Sequence, residues 1–229
     1  MVNVNLRPLA KPQSIRDHVT RVLRAAILSG EMEPGQVYSA PTLGARLGVS
    51  PTPVREAMLD LVKDGLVVMV RNKGFRVTEV DDRYLDEITE LRQLIEPPLV
   101  RDAVALIPEA DRPRLRELAE AIVTHAAARD LVEYTEADKA FHLALLRYTG
   151  NERILRLVED LRDHARLIGL SQLAERGELA ASAREHVAII DAIEAGDADL
   201  TYRLMVDHIR KTRGAWAGQE DTPTPAFTH

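Results

Sequence analysis

The sequence predicts a mainly α protein in two parts: three helices with a β-hairpin, followed by an all-α helical bundle. Three observations carry this. Aromatic residues make up 4% of the 229-residue chain, while Ala, Leu, Val and Arg are plentiful, a mix that favours helix over sheet. The stretch 42–58 pairs two helical patterns across a tight turn. From residue 83 onward the apolar periodicity is helical, with no convincing strand.

Residues 1–11 read as a flexible arm. From Ser14 to Ser29, Ile15, Val19, Val22, Leu23, Ala26 and Ile27 recur at helical spacing. Gly30 stops that helix and Glu33-Pro34-Gly35 makes a turn. A short helix follows over 40–47, in which Leu43 and Leu47 share a face. Gly48 supplies the turn, Val49 anchors it in the core, and Ser50 offers a hydroxyl cap to a helix over 51–64. Pro51 and Pro53 lie in the first turn of that helix, where a missing N–H breaks no intrahelical bond. Such a helix-turn-helix presents the tip of its second helix to a DNA groove.

The period then changes. Residues 66–70 and 75–80 are rich in strand formers, and Arg71-Asn72-Lys73-Gly74 makes the tip between them. Three helices and a hairpin compose a winged helix-turn-helix over 12–80. Arg71 and Lys73 at the wing tip suit phosphate or the minor groove; the alternative is an ordinary hairpin with a solvated tip. Asp81-Asp82 marks the boundary. Helices are expected near 83–107, 111–128, 131–148, 152–169, 179–195 and 198–215, within a second domain over 81–216. Pro97-Pro98 is expected to kink or interrupt the first of these. The tail over 217–229 reads as disordered.

The net charge of −6 is unevenly spread. Residues 1–80 hold 11 basic and 7 acidic residues, leaving 19 basic and 29 acidic beyond them. The head is therefore positive and the body negative, which confines attraction for phosphate to one end. No apolar run is long enough to cross a membrane, no secretory signal is present, and there is no cysteine for disulfides or thiolate metal sites. A cytoplasmic location fits these features.

In the body, Asp138 and His142 lie one turn apart on one helical face. His186 and His208 sit among apolar residues of two further helices, so each can point into a bundle interior. Three imidazoles and a carboxylate suit Zn²⁺, and equally Ni²⁺, Mn²⁺ or Fe²⁺ when water completes the shell. The alternative is a set of satisfied core histidines. His18, His125, His164 and His229 show no comparable pairing.

The segment Leu47-Gly48-Val49-Ser50-Pro51-Thr52-Pro53-Val54-Arg55-Glu56-Ala57-Met58, with Leu61, Asp64-Gly65-Leu66-Val67 and Gly74-Phe75-Arg76-Val77, resembles the winged-helix domain of GntR-type bacterial transcription regulators. The body resembles the all-helical FCD ligand domain of the FadR-like branch. Glu90-Leu91-Arg92 through Glu96-Pro97, Asp138-x-x-x-His142, Gly150-Asn151, Glu185-His186 and His208 carry that likeness. The resemblance implies a divalent metal on Asp138, His142, His186 and His208, and a small carboxylate effector at or beside it. It implies a cavity-facing role for Arg92, whose alternative is an ion pair with a neighbouring Glu, and gives Asn151 and Arg166 as further cavity candidates. Asn151 also suits a helix cap.

The resemblance assigns DNA contacts to Ser50, Thr52 and Arg55, with Arg46 on the preceding helix facing the backbone. Arg55 could instead pair with an acid such as Glu56. The family usually has arginine after the serine of the recognition helix, where this chain has Pro51, so an operator sequence does not transfer. The reading that results is a dimeric repressor of a pseudo-palindromic double-stranded DNA operator, responsive to metal and metabolite. A metal-dependent enzyme acting on a small carboxylate, and a regulator with a purely structural metal, are the alternatives.

Overall fold

Ser14 opens the first helix through a capping box: its hydroxyl accepts from Asp17 N–H at 3.1 Å, and the Asp17 carboxylate accepts from Ser14 N–H at 3.2 Å. The computed structural model describes residues 14–79, 82–165, 170–175 and 177–217. The arm at 1–11, most of the expected tail and Arg166 lie outside these residues.

Helix α1 (Ile15–Leu28) buries Val19, Leu23, Ile27 and Leu28. It packs against α3 (Pro51–Lys63), which α2 (Ala40–Leu47) crosses. The head core gathers Val19, Leu23, Val54, Met58, Leu61 and Phe75. Gly48 takes φ 69° at the end of α2, a left-handed conformation that suits glycine. Gly44 is needed for a different reason. A Cβ there would stand 2.8 Å from the Val49 carbonyl oxygen, so only a bare backbone lets the turn fold back so closely.

Strands β2 (Val67–Val70) and β3 (Gly74–Val77) form the expected hairpin. A two-residue strand, β1 (Val37–Tyr38), adds to the far side of β3, giving the antiparallel order β1-β3-β2 with Tyr38 opposite Phe75. Two residues carry no periodicity, so sequence reading missed β1. Asn72 sits at the wing tip with φ 61°, a conformation Asn tolerates better than most residues.

The body is helical throughout its described residues: α4 (Asp82–Ala103), α5 (Arg112–Ala128), α6 (Leu131–Arg147), α7 (Glu152–Ala165), α8 (Leu170–Glu175), α9 (Leu179–Glu194) and α10 (Ala198–Ala217), with short 3-10 turns over Val104–Leu106 and Glu109–Asp111. Of the two outcomes expected at Pro97-Pro98, an interruption does not occur: α4 runs through both for 22 residues. Buried neighbours explain this: Glu96, Pro97 and Val100 all face the interior, so packing outweighs the missing N–H donors. The expected end at 107 is instead a 3-10 turn, and α8 is a separate short helix.

Helix α10 lies along α4 and α9, α5 along α6 and α9, and α7 along α4 and α6. Phe141, Leu145, Ile189, Ile190, Ile193, Met205 and Ile209 fill the centre. Head and body meet where α1 touches α6. No helix among the described residues is long and apolar enough to cross a membrane.

Replacing Gly44 with alanine tests the turn. Alanine normally stabilises a helix interior by roughly 1 kcal/mol over glycine. Here the clash should reverse that sign and cost about 1–3 kcal/mol, read as a lower thermal midpoint.

Candidate metal centre and DNA-binding surface

Three buried histidines from three helices converge on one carboxylate. His142 (α6) and His186 (α9) are fully buried, His208 (α10) is 3% exposed, and Asp138 lies one turn before His142. One ligand atom from each of the four lies within 4.8 Å of the other three. His186 Nε2 is 3.0 Å from Asp138 Oδ1 and 3.2 Å from His142 Nε2. Two ligand nitrogens each about 2.1 Å from one ion are spaced by about 3.0–3.4 Å in octahedral or tetrahedral geometry. The cluster therefore fits a divalent ion.

The far nitrogen of each ring explains how the near one is aimed. His208 Nδ1 is 2.9 Å from Glu185 Oε2, and Glu185 is itself held by Lys211 at 2.9 Å. His186 Nδ1 is 3.2 Å from the Ala183 carbonyl oxygen. His142 Nδ1 has no hydrogen-bond partner, but it lies 3.7 Å from Glu96 Oε2. Each Nδ1 thus faces an acceptor, and a proton on Nδ1 leaves the Nε2 lone pair for the cluster. Burial holds His142 well below the ordinary histidine pKa, with Arg162 adding to the effect. It holds His208 down to about 4, with His186 adding to it and Glu185 opposing. Both are neutral near pH 7, the form that ligates.

Glu96, fully buried, sits at the back of this cluster. Burial alone would raise its pKa; Arg162 and Arg92 together hold it below the usual carboxylate value. Arg92 Nε donates to Glu96 Oε1 at 2.7 Å. Arg162 donates to Glu96 Oε2 from Nη2 at 2.6 Å and to Asp138 Oδ2 from Nη1 at 2.9 Å. Asp138 therefore keeps one oxygen for Arg162 and one for the cluster. A cavity of about 30 Å³ lies alongside, lined by Arg92, Thr135, Asp138, Arg162, His208 and Thr212. That is room for about two waters.

Arg92 thus does both things its sequence context suggested: it lines the cavity and pairs with Glu96, although the pair is buried. Asn151 is outside the cavity. It is exposed, and its side chain accepts from Arg153 N–H and Ile154 N–H at 3.1 and 3.3 Å, capping α7. Sequence reading assigned no role to Glu96, Glu185 or Arg162. A signal for Arg162 existed: it falls at i+7 and i+4 from Leu155 and Val158, on the apolar face of α7. Charges on such a face need a buried partner.

In the head, Arg46, Ser50, Thr52, Arg55, Arg71 and Lys73 are all exposed. Arg55 does not pair with Glu56; among the described residues these four cations have no ion pair within the chain. The expected Ser50 cap is corrected too. Ser50 occupies the N-cap of α3 with extended backbone, but its hydroxyl makes no capping bond and stays free.

Residues 15–77 match the gntR family of bacterial regulatory proteins, and residues 87–211 match the FCD domain. The chain belongs to the GntR family. An uncharacterized HTH-type transcriptional regulator in an unstable DNA locus of Streptomyces ambofaciens is 33% identical over 192 residues, 82% of this chain and 79% of that protein. The HTH-type transcriptional repressor RspR of Escherichia coli is 25% identical, with 87% of each chain covered. Among solved structures, E. coli McbR/YncC superposes with a TM-score of 0.68 at 25% identity, covering 90% of this chain and 98% of that one. This GntR-family chain is a DNA-binding transcriptional regulator and not an enzyme.

Two outcomes test the buried network. Arg162→Met leaves Glu96 and Asp138 short of a buried counter-charge and should cost about 3–5 kcal/mol in denaturant unfolding. In chelator, the unfolded histidines titrate near 6.5 while folded His208 titrates at about 4. The unfolded chain then binds more protons between those values, so stability should fall as pH drops from 6.5 to 4. A flat profile across that window would contradict the burial described.

Proposed function

We propose that this regulator is a homodimeric repressor carrying a divalent metal, zinc by preference, on Asp138, His142, His186 and His208. Its operator binding would then be controlled by a small carboxylate bound at or near that metal. The observation that carries the reading is the set of aimed imidazoles: Glu185, the Ala183 carbonyl and Glu96 stand behind the three Nδ1 atoms while the Nε2 atoms gather at Asp138. Such outer acceptors orient metal ligands and raise their basicity. When bound, the metal supplies positive charge and open coordination positions to an anion. Arg92 and Arg162 add guanidinium charge at the cavity wall, chemistry suited to carboxylate oxygens.

The domain division at 12–80 and 81–216 belongs to this proposal, with the cytoplasm as its setting. Dimerisation is supported by apolar side chains left in solvent on α4 and α7: Tyr84, Leu91, Leu94 and Leu157, with Leu94 68% exposed. A two-fold dimer would place two heads on two halves of a pseudo-palindrome. In each head Ser50, Thr52 and Arg55 would meet the major groove, Arg46 the backbone, and Arg71 and Lys73 phosphate or the minor groove. A structural metal is the second reading, and the size of the cavity favours it: 30 Å³ has to widen before an organic acid enters.

Titration with zinc should give one site per chain, and His186→Ala should weaken it at least ten-fold. Binding to duplex DNA from upstream of the gene should weaken steeply with salt, and Arg55→Ala and Lys73→Ala should reduce both affinity and salt slope. A panel of small carboxylates should then shift the thermal midpoint of zinc-loaded protein and change DNA affinity. Stabilisation by zinc without any response to acids would select the structural reading. Salt-independent or absent DNA binding would end the proposal.

A further inference from the structure

We infer that Arg24 is a positioning residue that ties the recognition helix to the helix carrying two of the candidate metal ligands. This inference rests on the metal-responsive reading above and adds the route by which the cluster reaches the DNA-binding head. Arg24 lies on α1, 22% exposed at its side chain, between two acids from different domains. Its Nη2 is 2.5 Å from Asp64 Oδ2, and Asp64 is the C-cap of recognition helix α3. Its Nη1 is 3.9 Å from Glu136 Oε1 on α6. One turn earlier on both helices, Arg21 meets Glu133 at 3.4 Å. Arg16, two turns before Arg24, adds a pair with Asp60 that fixes α1 to α3.

The geometry makes α6 a shared rod. Glu133 and Glu136 hold the head on one side, while Asp138 and His142 face the buried cluster on another. Residues two apart on a helix point about 200° from each other, so Glu136 and Asp138 lie on nearly opposite faces. A sideways shift of α6 that draws Asp138 toward an ion carries Glu136 away from Arg24, and the reverse shift presses it closer. Partly exposed pairs of this kind contribute little each, so they bias the head without locking it. Arg24 also stands between two acids, Asp64 and Glu136, and offsets their repulsion across the junction. Losing the Glu136 contact thus leaves α1 fixed to α3 but loosens both from the body.

The test uses full-length protein, zinc or chelator, and the same upstream duplex. Wild type should change its DNA affinity about five-fold or more between the two conditions, the lower end of common coupling between sites. Arg24→Gln and the double variant Glu133→Gln/Glu136→Gln should keep wild-type zinc affinity and thermal midpoint, yet reduce that change to less than two-fold. Arg24→Lys should restore part of it. Hydrogen exchange should show α1 protection responding to zinc in wild type and not in Arg24→Gln. If wild type is coupled and the glutamine variants are coupled equally, the Arg24 route is overturned while the metal reading stands. If wild type binds zinc but its DNA affinity ignores it, the Arg24 route is overturned, and the response to the carboxylate panel decides the sensing role separately.

Discussion

A carboxylate with no exposure to water survives only where counter-charges meet it, and Glu96 is such a group. Its two partners come from different places. Arg92 is one turn away on the same helix, and Arg162 reaches across from α7. Because Arg162 also holds Asp138 on α6, one set of charges fixes α4, α6 and α7 relative to one another. The imidazoles of α6, α9 and α10 are then placed against that frame. An apolar core alone would pack these helices as densely, but would allow small slips that a network of directed hydrogen bonds does not.

Much of the architecture was legible because its signals are local. The spacing of Ile15, Val19, Leu23 and Ile27 announces a helix, Gly48 a turn, and Asp138 with His142 a shared face. The convergence of His186 and His208 has no local signal. It depends on how α9 and α10 pack, and the family resemblance supplied what spacing did not. The continuity of α4 through Pro97 and Pro98 was not legible for a related reason: the cost of proline is local, while the burial that offsets it on either side is tertiary. Strand β1 was missed because two residues hold no period. Glu185 stands beside His186 in sequence, yet it serves His208 on another helix, a relation that only the folded chain reveals.

The head and the body use charge in opposite ways. In the body, the guanidiniums of Arg92 and Arg162 are buried and paired with Glu96 and Asp138. In the head, Arg46, Arg55, Arg71 and Lys73 are exposed and, among the described residues, have no ion pair, while the cations of α1 are occupied with Asp60, Asp64 and the body. A surface that is to meet phosphate keeps its cations uncommitted, and the net negative charge of the whole chain does not oppose this because the excess acids lie beyond residue 80.

Pro51 and Pro53 give the tip of α3 a property of its own. Helix N-termini usually hold anions with free amide hydrogens, but two of the first three residues here have none. The tip is thus poor in main-chain donors, and the donors it offers are the hydroxyls of Ser50 and Thr52 and the Arg55 guanidinium. The same rings fix two backbone angles before any DNA arrives. Little flexibility is left in that turn to be lost on docking, and little is left for adapting to an imperfect site. What the two rings bring to this end of the helix is stiffness.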